Sequence, residues 1–380
     1  MTPDPTASAA PGPASAAAPS DSSITAPRLR AGVIGLGWAG QQHVAAYAAH
    51  PDVDLVALSA MEEHLLTRFG DEHGVELRYP DWRQMLAEAE LDIVSIATPT
   101  FLHSTMAIAA LEAGIHVLTE KPMAENAANA EAMVEASRRA GRVLDVSFNH
   151  RRRGDVTALA GVVASGVLGD IYYAKTGWIR RQGIPGLGTW FTKAESSGGG
   201  ALVDIGVHML DMTLHLLGEP EVLTASASTH AEFGPRGRGG SGFGVSQQEA
   251  GAPFEVEDLA TAFLRLEGGS TLLLESSWAQ WIPHDLCYVT LYGSEGGATL
   301  EWGGGEDRLI IHTEVEGMPA EIRPAIGADG GHAAAVASFV ADVRSGDWAG
   351  HDGSLALRRA QVLEACYASA RTSAEVTLPA

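Results

Sequence analysis

The chain has 380 residues, 46% hydrophobic and 19% charged, with a formal net charge of −22. That length suggests two domains, and that composition fills a core, which excludes a wholly disordered chain. So acidic a surface repels phosphate backbones and anionic lipid, excluding nucleic-acid and membrane partners, while helix ends and backbone amides can still hold an anionic dinucleotide locally.

In chain order, residues 1–27 are rich in Ala, Pro and Ser and carry no basic residue, so neither the positive start nor the apolar stretch of a secretory signal is expected. They read as a disordered tail. Residues 30–36 (RAGVIGL) read as a strand that runs through glycines into a helix over 39–49. Strands are expected at 55–58, 93–97, 115–119 and 143–148, and helices at 62–72, 82–89, 103–113 and 127–140, the last two closed by Gly114 and Gly141. Strands alternating with helices predict an α/β, doubly wound parallel sheet over 28–149.

Beyond that point the pattern changes. A helix over 156–165, a strand over 171–180 and a helix over 203–217 precede strand-like runs at 222–230, 259–266, 271–278, 286–292, 298–302 and 309–315. Short turns between them predict a large, mostly antiparallel sheet, so an α+β domain is expected over 150–352. Helices at 333–344 and 355–370 follow, the second within a C-terminal segment over 353–380. The Gly-rich stretch 234–253 reads as a mobile loop, with a lid role left open. Cys287 and Cys366 stand far apart and in no metal-ligand spacing, which argues against a disulfide framework or zinc site and fits a cytoplasmic protein.

Five motifs carry chemistry. Gly35-Leu36-Gly37-Trp38-Ala39-Gly40 follows a strand and opens a helix, the context that makes a GxGxxG run a dinucleotide site. Gly35 permits the tight turn, Gly37 lets the pyrophosphate approach, and Gly40 lets helix and strand pack closely. At the end of the second strand, where NAD binders usually place an acid, stand Ser59 and Ala60. Glu62 comes slightly late but can reach back, and no Arg or Lys follows until Arg68, so NAD is favoured over NADP. Ala97, Thr98 and Pro99, with His103, close the 93–97 strand and would wall the ribose and nicotinamide, unless Pro99 only fixes the turn and His103 only starts a helix. Glu120-Lys121-Pro122 closes the next strand, where the lysine would donate to the reacting oxygen and to the cofactor ribose. Last, Gly198-Gly199-Gly200 leads to Asp204, Gly206, His208 and Asp211. Asp204 and His208 are four apart and would share a helix face. A histidine suits removal of a hydroxyl proton at neutral pH. Asp204 would orient it or bond a neighbouring hydroxyl, and the glycines would bring the chain close to the nicotinamide. The plainer alternative is a Gly-rich linker before a core helix.

Together these residues resemble the Gfo/Idh/MocA family over roughly 29–372. The resemblance implies an N-terminal Rossmann domain and a C-terminal domain whose open sheet often forms the interface of a homodimer or homotetramer. It implies that Lys121, Asp204 and His208 form the catalytic group, with His208 as acid/base. It also places the stretch Phe148-Asn149-His150-Arg151 near cofactor and substrate, which marks Asn149 for the first and Arg151 for the second. Substrates of similar proteins are mostly sugars, inositols and their derivatives, and Trp178, Arg180, Arg181 and Trp190 would line such a site. The expected activity is hydride transfer between NAD or NADP and a secondary hydroxyl of a small polyhydroxy substrate. The alternative is a glycosidase or eliminase that retains NAD and oxidises its sugar transiently. A non-catalytic binding protein is disfavoured, because both Lys121 and His208 stand.

Overall fold

In the computed structural model, which describes residues 27–241, 253–304, 308–328 and 330–379, the first strands are short and almost wholly apolar. The expected tail up to residue 26 and the loop over 242–252 lie outside the described residues. Strand β1 (Leu29–Ile34) leads through glycine to α1 (Trp38–Ala49), then β2 (Val53–Ser59), α2 (Glu63–His73), β3 (Leu77–Tyr79) and α3 (Trp82–Glu88). There follow β4 (Ile93–Ile96), α4 (His103–Glu112), β5 (His116–Thr119), α5 (Ala127–Ala140) and β6 (Leu144–Val146). Every residue of β4 is buried, the signature of a strand covered on both faces. The sheet is parallel, in the order β3-β2-β1-β4-β5-β6. This is the Rossmann order, and the chain reverses direction across the sheet between β1 and β4, so a ligand crevice opens at their carboxyl ends.

The second half comprises α6 (Gly154–Ala164), β7 (Ile171–Ile179), α7 (Ala194–Ser197), a π-helical turn (Leu202–Gly206) that runs into α8 (Val207–Leu216), and β8 (Val222–His230). Strands β9 (Leu259–Leu266), β10 (Thr271–Ser277), β11 (Leu286–Gly293), β12 (Gly297–Trp302), β13 (Arg308–Val315) and β14 (Met318–Ile322) come next. Helices α9 (Gly331–Ser345) and α10 (Ser354–Thr372) and strand β15 (Val376–Thr377) end the chain. The sheet order is β14-β13-β12-β11-β7-β10-β9-β8-β15, antiparallel except between β7 and β10. Burial alternates along β9 to β12. Leu272, Leu274, Val289, Leu291, Ala298 and Leu300 are fully buried, while Tyr288, Tyr292 and Phe263 on the opposite face stay part-exposed.

Three findings differ from the sequence expectation. The edge strands β3, β14 and β15 went unseen; β3 and β15 are too short to show alternation and β14 is mostly exposed. The helix expected from residue 203 starts as a π turn. The closing helices also reach back to the first half. Val336, Phe339 and Val340 of α9 share a core with Val33, Val44 and Tyr47, and α10 packs against both α5 and β8. A helix distant in sequence thus completes the nucleotide-binding half, which linear periodicity cannot show.

Candidate active site

Glycine shapes the crevice beyond β1. Gly35 has φ +90° and lies against the Ala97 carbonyl, and a Cβ on Gly40 would fall 1.9 Å from the Gly35 carbonyl oxygen. At Gly37, by contrast, a Cβ would meet nothing within 4 Å. Helix α1 has no side-chain N-cap and no acid in its first turn. Its amides from Trp38, Ala39 and Gly40 have no intrahelical acceptor, and with the helix dipole they suit a diphosphate. Leu36 turns its side chain into the core, while Trp38 is exposed and meets the His332 ring edge-on, with centroids 5.2 Å apart. Past β2, Ala60 is buried. Glu62 caps α2 through its backbone alone, its exposed carboxylate making no cap hydrogen bond.

The loops after β4 and β5 are tied together by His103. Its ring is buried between the carbonyls of Thr98 and Pro122, 2.9 Å from each. Burial pulls its pKa down, against the opposing pull of those two carbonyls. It was expected beside the cofactor; the neutral ring has one N–H to donate to one of these carbonyls, and its other nitrogen faces the second. Thr98 Cγ2 lies 3.1 Å from where a Cβ on Gly35 would fall, and Pro99 precedes a 3-10 turn over Thr100–Leu102.

Glu120 is also committed inward. Its Oε1 accepts from His43 Nε2 at 3.0 Å and lies 3.5 Å from His332 Nε2, and its Oε2 accepts from the Lys121 amide at 3.1 Å. His43 Nδ1 is 2.8 Å from Ser95 Oγ, which Tyr47 Oη also meets. Burial alone would raise the Glu120 pKa; the bonds to His332 and His43 outweigh it and hold the carboxyl well below its usual range. One ligand-type atom each of His43, Glu120 and His332 lies within 4.8 Å of the others, a set able to hold a metal ion. Hydrogen bonds already account for the cluster. Asn149 joins it through a 3.4 Å contact with His332 Nδ1.

The glutamate cluster fixes the backbone of Lys121, whose side chain crosses to the second half. Lys121 Nζ donates to Asp204 Oδ1 and to the Asp204 carbonyl, both at 2.9 Å. Asp204 Oδ2 accepts from Trp278 Nε1 at 2.9 Å. Burial would raise the Asp204 pKa, but the charges of Lys121 and Arg180 prevail and keep it ionised. Asp204 therefore holds Lys121 and does not orient His208. The i→i+5 winding of Leu202–Gly206 widens the turn, so the four-residue spacing no longer aligns the two side chains as an α-helix would.

His208 is 6% exposed, and its Nδ1 has no hydrogen-bond partner among the described atoms. Its ring centroid lies 4.5 Å from that of His150 and 5.9 Å from that of Trp178. Burial first, then the charges of His150 and Lys121, drives its pKa well below 6.5, so the imidazole is neutral and able to accept a proton. His150 is likewise pushed by burial, to about 3.

The remaining expected residues divide. Arg180 lies over Trp178, 5.0 Å from its ring centroid, and its charge reaches Asp204. Trp190 stacks on Phe191 at 3.9 Å, and Arg181 bonds the Pro283 carbonyl. Arg151 corrects the expectation of a substrate contact: its guanidinium grips the buried Asp211, which Arg359 also meets at 3.2 Å. Arg359 in turn bonds Glu219, so this network clamps α8 to α10. The triple glycine is a second correction. A Cβ on Gly198 would fall 2.4 Å from the Glu125 carbonyl oxygen, on Gly199 2.0 Å from the Tyr367 hydroxyl, and on Gly200 1.9 Å from the Glu257 carbonyl oxygen. These glycines make room for close approach of other protein segments. Trp278, His43 and His332 escaped the sequence reading, because no local signal ties a strand end and two distant helices to one cluster.

A family model described as "Oxidoreductase family, NAD-binding Rossmann fold" matches residues 29–148, and one described as "GFO/IDH/MocA C-terminal domain" matches residues 156–299. The chain is 32% identical over 353 residues to D-glucoside 3-dehydrogenase of Escherichia coli K12, covering 92% of this chain and 97% of the relative. It is 30% identical over 290 residues to levoglucosan dehydrogenase of Pseudarthrobacter phenanthrenivorans, covering 72% of this chain and 74% of the other. Among solved structures, a levoglucosan dehydrogenase in complex with NADH and levoglucosan shares the fold with a TM-score of 0.80 at 22% identity, covering 93% of this chain and 100% of that one.

Proposed function

The chain belongs to the Gfo/Idh/MocA family of NAD-binding sugar oxidoreductases, and from that premise we propose that it oxidises a secondary ring hydroxyl, at position 3, of a glucose-type sugar or glycoside. The observation that carries the reading is a neutral buried imidazole, His208, within electrostatic reach of the Lys121 ammonium, which is held by Asp204, itself bonded by Trp278. Position 3 is supported by the relative that spans nearly the whole chain, a D-glucoside 3-dehydrogenase.

The residues present fit a nicotinamide dinucleotide: the space at Gly37 and the open amides of α1 suit its diphosphate. When bound, the nicotinamide supplies the hydride acceptor. His208 takes the hydroxyl proton on a ring nitrogen that burial keeps unprotonated, at a cost in basicity. Lys121 donates to the reacting oxygen and steadies the negative charge that develops there. Asp204 and the Trp278 N–H keep that ammonium in place. Arg180 and Trp178 would form the sugar-facing wall. NAD is the proposed cofactor, since no Arg or Lys follows Ala60 in the chain until Arg68, and Glu62 keeps an exposed carboxylate for a ribose hydroxyl. The part-exposed face of the nine-stranded sheet, with Tyr173 stacked on Tyr292 at 5.3 Å, is proposed as a homo-oligomer interface.

The test is the near-ultraviolet absorbance of reduced cofactor, with NAD and then NADP, against glucosides, free sugars and inositols, with the keto product identified by NMR. Reduction of NAD by a glucoside with a 3-keto product is expected. Release of the aglycone with no net NADH would replace the reading with that of an NAD-retaining glycosidase or eliminase.

A further inference from the structure

The turn that carries Asp204 is secured from outside its own helix. Residues 200–202 open the helical segment, so their amides lack intrahelical acceptors. One residue meets all three. Glu257, just before β9, accepts from the Gly200 amide at Oε2 and from the Leu202 amide at Oε1, each at 2.9 Å, and its carbonyl accepts from the Ala201 amide at 3.2 Å. Tyr367 of α10 donates to the same Oε1 at 2.9 Å. The glycines at 199 and 200 allow this approach, since a side chain at either would strike Tyr367 or Glu257.

We propose that Glu257, braced by Tyr367, is a positioning residue for the reaction: it anchors the start of the π turn and so sets where Asp204 and His208 stand relative to Lys121. The proposal rests on the catalytic reading of His208 given above. Glu257 lies outside the catalytic group, since its carboxylate touches only backbone amides and a phenol. Its effect runs through the winding. Leu202 begins the i→i+5 turn, Asp204 lies two residues on, and Asp204 must meet Lys121 Nζ and Trp278 Nε1 at once. With the amides released, Leu202–Gly206 can relax toward ordinary α winding, which turns Asp204 away from both partners. Within the turn itself, Asp204 N donates to the Gly200 carbonyl at 3.0 Å.

The experiment compares Glu257→Gln and Tyr367→Phe with the parent. The substituted carboxamide keeps the size of the glutamate side chain but presents an N–H toward one of the backbone amides. The full chain is assayed for kcat, KM, NAD affinity, melting temperature and the pH dependence of kcat. In Glu257→Gln, kcat is expected to fall about 10- to 100-fold with NAD affinity unchanged. The acid limb of kcat should also move to higher pH, as His208 leaves the buried setting it shares with His150, Trp178 and the charge of Lys121. Tyr367→Phe should shift both in the same direction by less. A folded Glu257→Gln with unchanged kcat and acid limb overturns the proposal. If that variant does not fold, unchanged kcat and acid limb in Tyr367→Phe overturn it. His208→Ala run alongside separates the failures: if it keeps turnover, the catalytic reading fails instead.

Discussion

Two glycine-rich helix starts, one in each half of the molecule, look alike in sequence and do opposite things. At Gly37 a side chain would enter empty space, while at Gly199 and Gly200 it would strike the Tyr367 hydroxyl and the Glu257 carbonyl. The first start leaves its amides open toward a crevice. The second has them bound by a buried carboxylate. A run of glycines therefore reports close approach, and only the fold says whether a ligand or the protein itself makes that approach.

Removing the proposed catalytic side chains has the largest expected effect. His208→Ala and Lys121→Ala should each lower turnover by at least about 100-fold with NAD binding largely kept, as measured by steady-state kinetics and calorimetric titration. Turnover near the parent level in both would remove the catalytic assignment. The comparison itself breaks under paired alanines. Gly200→Ala should cost about 1–3 kcal/mol of stability through overpacking, read from denaturant unfolding. Gly37→Ala should unfold like the parent and lose affinity for NAD. The reverse outcome would exchange the roles of the two glycine runs.

Acid sharpens the contrast further. Burial lowers the pKa of His103 in the first half and of His150 and His208 in the second. Each would gain a proton in the unfolded chain near pH 6.5 but resists it when folded. Their contribution is therefore fully present above about pH 6.5 and declines as pH falls, by up to about 1.4 kcal/mol per pH unit for each histidine. For His150 the decline continues to about 3. Chemical denaturation at a series of pH values should show this slope, and His150→Phe should flatten it; an unchanged slope would mean that ring is not the one resisting protonation. The smallest effect concerns the cofactor ribose. Ala60→Asp should raise the preference for NAD over NADP several-fold, and an unchanged ratio of kcat/KM would place ribose recognition elsewhere.

Much of this was visible along the chain. The alternation of apolar runs and amphipathic stretches marked the parallel sheet, and Gly141 closed α5 where expected. Lys121, Asp204 and His208 were singled out by residue type and position; the fold pairs Lys121 with Asp204 and leaves His208 within reach of the Lys121 charge. Their mutual roles were not legible. The assumed α-helical spacing linked Asp204 to His208, whereas the π turn links it to Lys121 and Trp278. Arg151 looked like a substrate contact because of the stretch it stands in, yet a buried aspartate on α8 takes its guanidinium.

Local sequence, then, settled the elements and the chemical types at their ends, because hydrophobic period and glycine placement act over a few residues. Tertiary structure decided which polar atoms are already paired. It joined His43, Glu120 and His332 from three distant elements, and it brought Glu257 and Tyr367 to the catalytic turn. A buried donor or acceptor takes the nearest partner in space, and that distance is written nowhere in the order of the residues.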